Sequence, residues 1–277
     1  MKFKFLGTAA AEGFPAVFCN CKYCQEARKR KGKNIRTRSQ AIINQDLLID
    51  LPADTYMHAL NNELELFKVK YLLVTHAHQD HFYPQELNMR GYWFAPQLKD
   101  KITVICSPQV EKRYAQNVEQ DMHEPIKELI DIKVVKPFEK VVLGDYEITA
   151  LPARHGFCDG FIYHIKQGDK NILYAHDTGY FFDSVLDYIK NSKVVFDFIT
   201  FDCTNIELYA GEDSTHMSLD NIAKLVGMFK AQGSINSKTQ LYINHFSHNA
   251  NPLHEELCEK AQKYGFNVSF DGLELDI

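Results

Sequence analysis

The sequence predicts a fold of the α/β (α+β) class, on three observations. Short apolar runs of strand length recur along the whole chain, and segments with helical spacing fall between them. No Gly/Ser-rich or Pro-rich linker divides the series, so one domain over 1–277 is expected. A chain of 277 residues with 45% hydrophobic content can bury most of its apolar surface without disulfides.

Lys2–Leu6 reads as a first strand, followed by the small-residue loop Gly7–Phe14. Ala41–Asp50 is two apolar runs around Asn44-Gln45-Asp46, the pattern of a hairpin. Lys68–Val74 ends without polar alternation, as expected of a strand covered on both faces. Further strands are expected at Ile102–Cys106, Val141–Leu151, Phe161–Ile165, Asn171–Ala175, Phe198–Asp202, Gln240–Asn244 and Asn267–Phe270, with a turn at Gly168-Asp169. Helical spacing marks Ser184–Lys190, Leu219–Phe229 and Pro252–Tyr264, the last with Pro252 in its first turn, where proline is tolerated. The stretch 83–128 has a weaker pattern and is expected to form an insertion over the site.

The net charge of −5 argues against a dedicated nucleic-acid or anionic-membrane binder. No apolar run is long enough for a signal peptide or a transmembrane helix, so a cytoplasmic protein without a membrane partner is expected. Seven cysteines, three of them within Cys19–Cys24, suggest metal rather than disulfides in a reducing compartment.

His76, His78, Asp80 and His81 follow the run KVKYLLV directly, as THAHQDH. Residues two apart in an extended segment point the same way, so His76 and His78 can grip one ion, while Asp80 and His81 reach a second as the loop turns. Imidazole and carboxylate suit zinc, manganese or iron. A lone histidine here would be a solvated turn residue; four ligand-type side chains after an apolar strand point to metal.

THAHQDH resembles the signature of the metallo-β-lactamase superfamily. That resemblance implies a four-layer αββα sandwich with metals held between strand ends. It also implies a later histidine, a bridging aspartate and a last histidine, and the chain offers His155 in LPARHGF, Asp177 in ILYAHDTG and His245 in YINHFSH. On this basis His76, His78 and His155 would bind one divalent metal (zinc or manganese). Asp80, His81 and His245 would bind a second, and Asp177 would bridge the two.

Cys19, Cys21 and Cys24 form C-x-C-x-x-C, leaving one position of a tetrahedral structural zinc open. His248, three residues after His245, is the expected fourth ligand, so that one loop serves both sites. A disulfide with one spare thiol, or a redox motif, are the alternatives. This zinc knuckle at 19–24 together with HFSH resembles the PhnP-type cyclic-phosphate phosphodiesterases, which accompany bacterial phosphonate breakdown and open a ribosyl 1,2-cyclic phosphate. The GTAAAEGFP loop, Phe201-Asp202-Cys203 and the final FDGLELDI are further parallels. Relatives that assist pyrroloquinoline quinone biosynthesis share similar cysteines.

The resemblance implies a metal-dependent phosphoric diester hydrolase acting on a small phosphodiester, and a homodimer. Two metals a few ångströms apart can lower the pKa of a bridging water from about 15.7 towards 7, which supplies hydroxide. His216, in Ser214-Thr215-His216-Met217, stands where the resembling enzymes place a general acid, and with Asp80 it is the candidate catalytic residue. Packing or capping is the alternative for His216. Asp50 matches the aspartate that supports the metal histidines, Asp202 is similar, and Thr75 and Thr178 flank metal residues.

Arg90 is a candidate for meeting phosphate, and Tyr92, Trp93 and Phe94 for lining a sugar or base pocket or forming a small core of their own. His58, His123, His164, His176 and His254 have no motif support. Cys106, Cys158, Cys203 and Cys258 read as buried hydrophobes. Arg28–Arg38 carries seven basic residues in eleven, a solvated helix end or a phosphate-attracting rim. Competing functions are tRNA 3′-processing, which needs a basic RNA-gripping arm not evident here, hydrolysis of lactones, thioesters or β-lactams, and a cofactor-biosynthesis accessory without turnover.

Overall fold

The computed structural model describes residues 1–277. Two seven-stranded sheets form its frame. In the first, β1 (Lys2–Gly7), β2 (Gln40–Ile43), β3 (Leu47–Ile49), β4 (Tyr71–Leu73), β5 (Ile102–Cys106) and β6 (Ile130–Val134) lie side by side in chain order. In the second, β7 (Lys140–Leu143), β8 (Tyr146–Pro152), β9 (Phe161–Gln167), β10 (Lys170–Ala175), β11 (Phe198–Asp202), β12 (Gln240–Asn244) and β13 (Asn267–Val268) do the same. The last strand, β14 (Glu274–Asp276), returns to the first sheet antiparallel to β1. Strands β3 to β6 run parallel, as do β10 to β13.

Side-chain alternation assigns each face. In the first sheet Phe3, Phe5, Ala41, Ile43, Leu73 and Ile105 turn inward to meet Ile148, Tyr163, Tyr174 and Phe198 of the second. The intervening Ile42, Leu48, Leu72 and Val104 turn outward. Against that outer face lie α3 (Pro108–Gln120), with Val110, and α4 (Glu124–Lys127), with Ile126. The outer face of the second sheet is covered by α5 (Asp183–Ser192), α6 (Leu219–Ala231) and α7 (His254–Gln262), through Val185, Ile222, Leu225 and Leu257. The order of layers is therefore αββα, as expected. Two further helices, α1 (Lys22–Arg30) and α2 (Thr55–Asn61), border the sandwich. No helix is long and apolar enough to cross a membrane.

Local chemistry fixes the helix starts. Ser107 caps α3 by accepting from the Val110 N–H, with Pro108 in the first turn. Ser218 and Asn221 close a reciprocal capping box on α6. The helix expected at 252–264 starts later, at His254, after Pro252. The strand expected at 141–151 is two strands, because Gly144 takes a left-handed φ of 57° and turns the chain between β7 and β8. Strands β6 and β14 and helices α1 and α3 carry patterns too short or too polar to stand out. The stretch 83–128, expected as an insertion over the site, supplies β5 to the interior of the first sheet and α3 to its outer face.

Candidate metal centre

Every candidate ligand of the metal pair follows the carboxyl end of a strand, where open α/β sheets bind their ligands. His76–His81 follow β4, His155 follows β8, Asp177 follows β10, and His245 follows β12. Asp177 and His245 take left-handed φ values of 53° and 63°, and Asp50, after β3, one of 65°. Such backbone is uncommon outside glycine and persists where surrounding structure holds it.

These strand ends bring the candidates into two clusters. His76, His78, His155 and Asp177 form one, with all ligand atoms within 4.8 Å of one another. Asp80, His81, Asp177 and His245 form the second within the same limit, so Asp177 belongs to both. His76 Nε2 lies 2.9 Å from His78 Nδ1, which lies 3.2 Å from His155 Nε2. In the second cluster His81 Nε2 lies 3.3 Å from His245 Nε2 and 3.1 Å from Asp177 Oδ2.

The donor set fits divalent cations. Imidazole nitrogens this close can share only one proton per pair, whereas lone pairs converging on a cation need none. His155 Nδ1 and Asp177 Oδ1, both buried, stand 2.9 Å apart yet neither makes a hydrogen bond. Burial would push the Asp177 carboxyl up, but the His245 and His76 imidazoles hold it well below the usual carboxylate range.

Behind the clusters lies a supporting shell. The fully buried Asp50 places Oδ2 2.7 Å from His81 Nδ1 and accepts from the Thr75 N–H at 2.8 Å. Thr75 Oγ1 lies 3.1 Å from His76 Nδ1, and Thr204 Oγ1 lies 2.8 Å from His245 Nδ1. Thr178 takes a different part, bonding the Arg154 N–H.

His216 Nδ1 lies 3.1 Å from Asp202 Oδ2 and 3.2 Å from Asp177 Oδ1. Burial opposes charge on this imidazole, but the Asp202 carboxylate, aided by Asp177, outweighs it and raises the pKa to about 9. His216 lines one cavity of about 400 Å³ together with His78, Asp80, His155, Asp177 and His245 of the clusters. Its remaining walls are Ala10, Ala11, Glu12, Thr204, Asn205, Leu208, Ser247 and Asn249, with no lysine or arginine. A larger hollow of about 880 Å³ shares none of these residues.

Cys19, Cys21, Cys24 and His248 bring their ligand atoms within 4.8 Å of one another. Each sulfur takes a backbone N–H: Cys19 from Cys21, Cys21 from Cys24, and Cys24 from Ala16. Burial raises the Cys21 thiol, but hydrogen bonds led by that to His248 bring it down to about 6. Burial instead pushes the Cys24 thiol up to about 12, so it is at Cys21 that the surroundings favour the thiolate, the form that binds zinc. All seven cysteines are free.

Other candidates fall elsewhere. Arg90 is buried and donates to the Asp100 carbonyl, away from the cavity. Tyr92, Trp93 and Phe94 are exposed and line none of it. In the basic run Arg36 is fully buried, Arg30 pairs with Glu26, Glu255 and Glu256, and Arg38 pairs with Asp54, and none of its residues lines the cavity. Cys158 is half-buried rather than a core residue and places Sγ 3.2 Å from His78 Nε2. Glu12, which accepts from Ser247 Oγ at 2.6 Å, had no sequence signal beyond its loop.

The family model described as a beta-lactamase superfamily domain matches residues 47–237. Among solved structures, a diphosphatase of the PhnP family is similar at 20% identity and a TM-score of 0.75, over 100% of this chain and 97% of that one. Zinc-bound PqqB from Methylobacterium extorquens is similar at 17% identity and a TM-score of 0.76, over all of both chains. The short form of human tRNase Z is similar at 14% identity and a TM-score of 0.69, over 100% and 99%. No curated protein matches by sequence.

Proposed function

The chain belongs to the beta-lactamase superfamily, and on that premise we propose that it is a dinuclear metal-dependent hydrolase that cleaves small phosphodiesters, cyclic ones included. The observation that carries this is Asp177, shared by two complete ligand sets beside the His216–Asp202 pair. When bound, paired divalent ions supply a hydroxide nucleophile at neutral pH and offset charge on phosphoryl oxygens.

The chain's own residues do the rest. His76, His78 and His155 would hold the first ion, Asp80, His81 and His245 the second, with Asp177 between them. Asp50 and Thr204 keep the Nε2 atoms of His81 and His245 turned towards the second cluster by engaging their Nδ1 atoms. Asp202 takes the Nδ1–H of His216, so Nε2 is left to deliver a proton to the leaving alkoxide as the P–O bond breaks. The same carboxylate favours the protonated form of that imidazole. A third ion, zinc, would occupy the cysteine knuckle.

A small substrate is favoured by the cavity volume of about 400 Å³ and the absence of lysine and arginine from its walls, since a gripped polynucleotide calls for a basic track. The test is a panel run on metal-reconstituted protein: cyclic and aryl phosphodiesters, lactones, thioesters and tRNA precursors. Turnover confined to small phosphodiesters is expected. Faster turnover of lactones, thioesters or tRNA would overturn the assignment, and no turnover with any divalent metal would favour an accessory role.

A further inference from the structure

Each imidazole that offers a nitrogen to the clusters has a second nitrogen to satisfy. For His76, His81 and His245 this is Nδ1, and an oxygen meets it: Thr75 Oγ1 at 3.1 Å, Asp50 Oδ2 at 2.7 Å and Thr204 Oγ1 at 2.8 Å. His78 is the reverse. Its Nδ1 faces His76 and His155 at 2.9 and 3.2 Å, so Nε2 is the outward atom, and the side chain is exposed. The group beside Nε2 is Cys158 Sγ, at 3.2 Å.

We propose that Cys158 is a positioning residue whose sulfur accepts the Nε2–H of His78 and keeps Nδ1 aimed into the first metal cluster. This rests on the assignment of His78 as a metal ligand. A histidine that gives its Nδ1 lone pair to a cation must carry its proton on Nε2, and that N–H needs an acceptor. On an exposed ring water competes for the bond and leaves the ring free to swing; a sulfur on a fixed loop does not.

The loop is fixed on both sides. Asp159, next to Cys158, accepts from Ser107 Oγ at 2.6 Å and from the Gln109 N–H at 3.0 Å, which ties it to the start of α3. Gln109 Nε2 donates to the Phe157 carbonyl at 3.2 Å. The Cys158 N–H donates to the His155 carbonyl at 3.1 Å, so the segment carrying the sulfur also carries a metal-cluster histidine. At Gly160 a Cβ would stand 3.3 Å from His76 Cβ, which leaves the loop little room to retreat.

The test is chelator-competition titration of wild type, Cys158→Ala and Cys158→Ser, with total metal counted per chain. Wild type should bind two ions beyond the knuckle zinc. Cys158→Ala should weaken one of those two by about 10–100-fold and leave the knuckle zinc in place, while Cys158→Ser, which keeps an acceptor, should recover most of the loss. Equal affinities in wild type and Cys158→Ala would overturn the proposal, as would a Ser variant as weak as Ala. If wild type bound no ion beyond the knuckle, the metal-ligand assignment itself would fail, which is a different outcome. A measurement on wild type alone guards against misfolded variants: loading the metal pair should slow alkylation of Cys158, read by mass spectrometry, and an unchanged rate would count against the contact.

Discussion

At the scale of single residues, the pair His216–Asp202 gives the sharpest prediction. With Nδ1 tied to Asp202, the proposed role of His216 is to serve the leaving group and not the nucleophile. His216→Ala should therefore lower kcat by about 10²–10⁴-fold on a diester with an alkyl leaving group, and far less on one with an activated aryl group. Equal losses on both would show that the imidazole only fills space. A second prediction concerns Asp50, which touches His81 and not the cavity. Asp50→Asn should weaken one ion of the pair by about 10–100-fold, read by metal titration, with the knuckle zinc retained. The seven metal-cluster residues were legible because four share one short motif and the others end strands in a known order. Cys158, Thr204 and Glu12 were not, because each acts through a contact across sequence that no spacing records.

At the scale of elements, the knuckle and α2 each carry a consequence. The knuckle joins the loop before α1 to His248, and that loop supplies Ala10, Ala11 and Glu12 to the cavity while Ser247 and Asn249 flank His248. His248→Ala should remove one zinc per chain, expose residues 12–24 to limited proteolysis and raise KM more than it lowers kcat. A larger fall in kcat than rise in KM would show that the knuckle acts on the chemistry itself.

In α2, His58 is buried with Nδ1 2.5 Å from Gln40 Oε1 and Nε2 2.6 Å from Thr37 Oγ1. Burial lowers its pKa to about 4, against a small opposing pull from Asp54. A depressed value means the fold prefers the neutral ring. The contribution is thus complete above the unfolded value of about 6.5 and is lost as pH falls towards 4, about 3 kcal/mol in all. Urea unfolding should show wild type losing more stability than His58→Gln between pH 7 and pH 4.5. Parallel losses would assign the acid sensitivity elsewhere. The basic stretch 28–38 shows the limit of reading an element by composition, since Arg36 lies buried with Nη1 on the Ser269 carbonyl at 2.7 Å.

At the scale of the molecule, the sandwich was legible from strand-length apolar runs, but its seams were not. One glycine, Gly144, separates two strands that read as one, and β6 and β14 lie at sheet edges, where alternation is exposed and short. The two sheets hold the opposing halves of each metal cluster, with His76–His81 on the first and His155, Asp177 and His245 on the second. Metal should accordingly bind the folded form in preference to the unfolded one, adding about 2.7 kcal/mol at a free concentration 100 times Kd. Chelation of the pair should lower Tm and re-addition restore it; an unchanged Tm would mean that the ions bridge nothing.

The late position of β12, β14 and His248 in the chain also sets an order of events during synthesis. A nascent polypeptide emerged only to residue 240 holds the THAHQDH loop and the three cysteines, but neither His245 nor His248, and β1 still has an open edge where β14 will pair. Such a polypeptide cannot complete the second cluster or the knuckle until the stretch carrying His245 and His248 has left the ribosome.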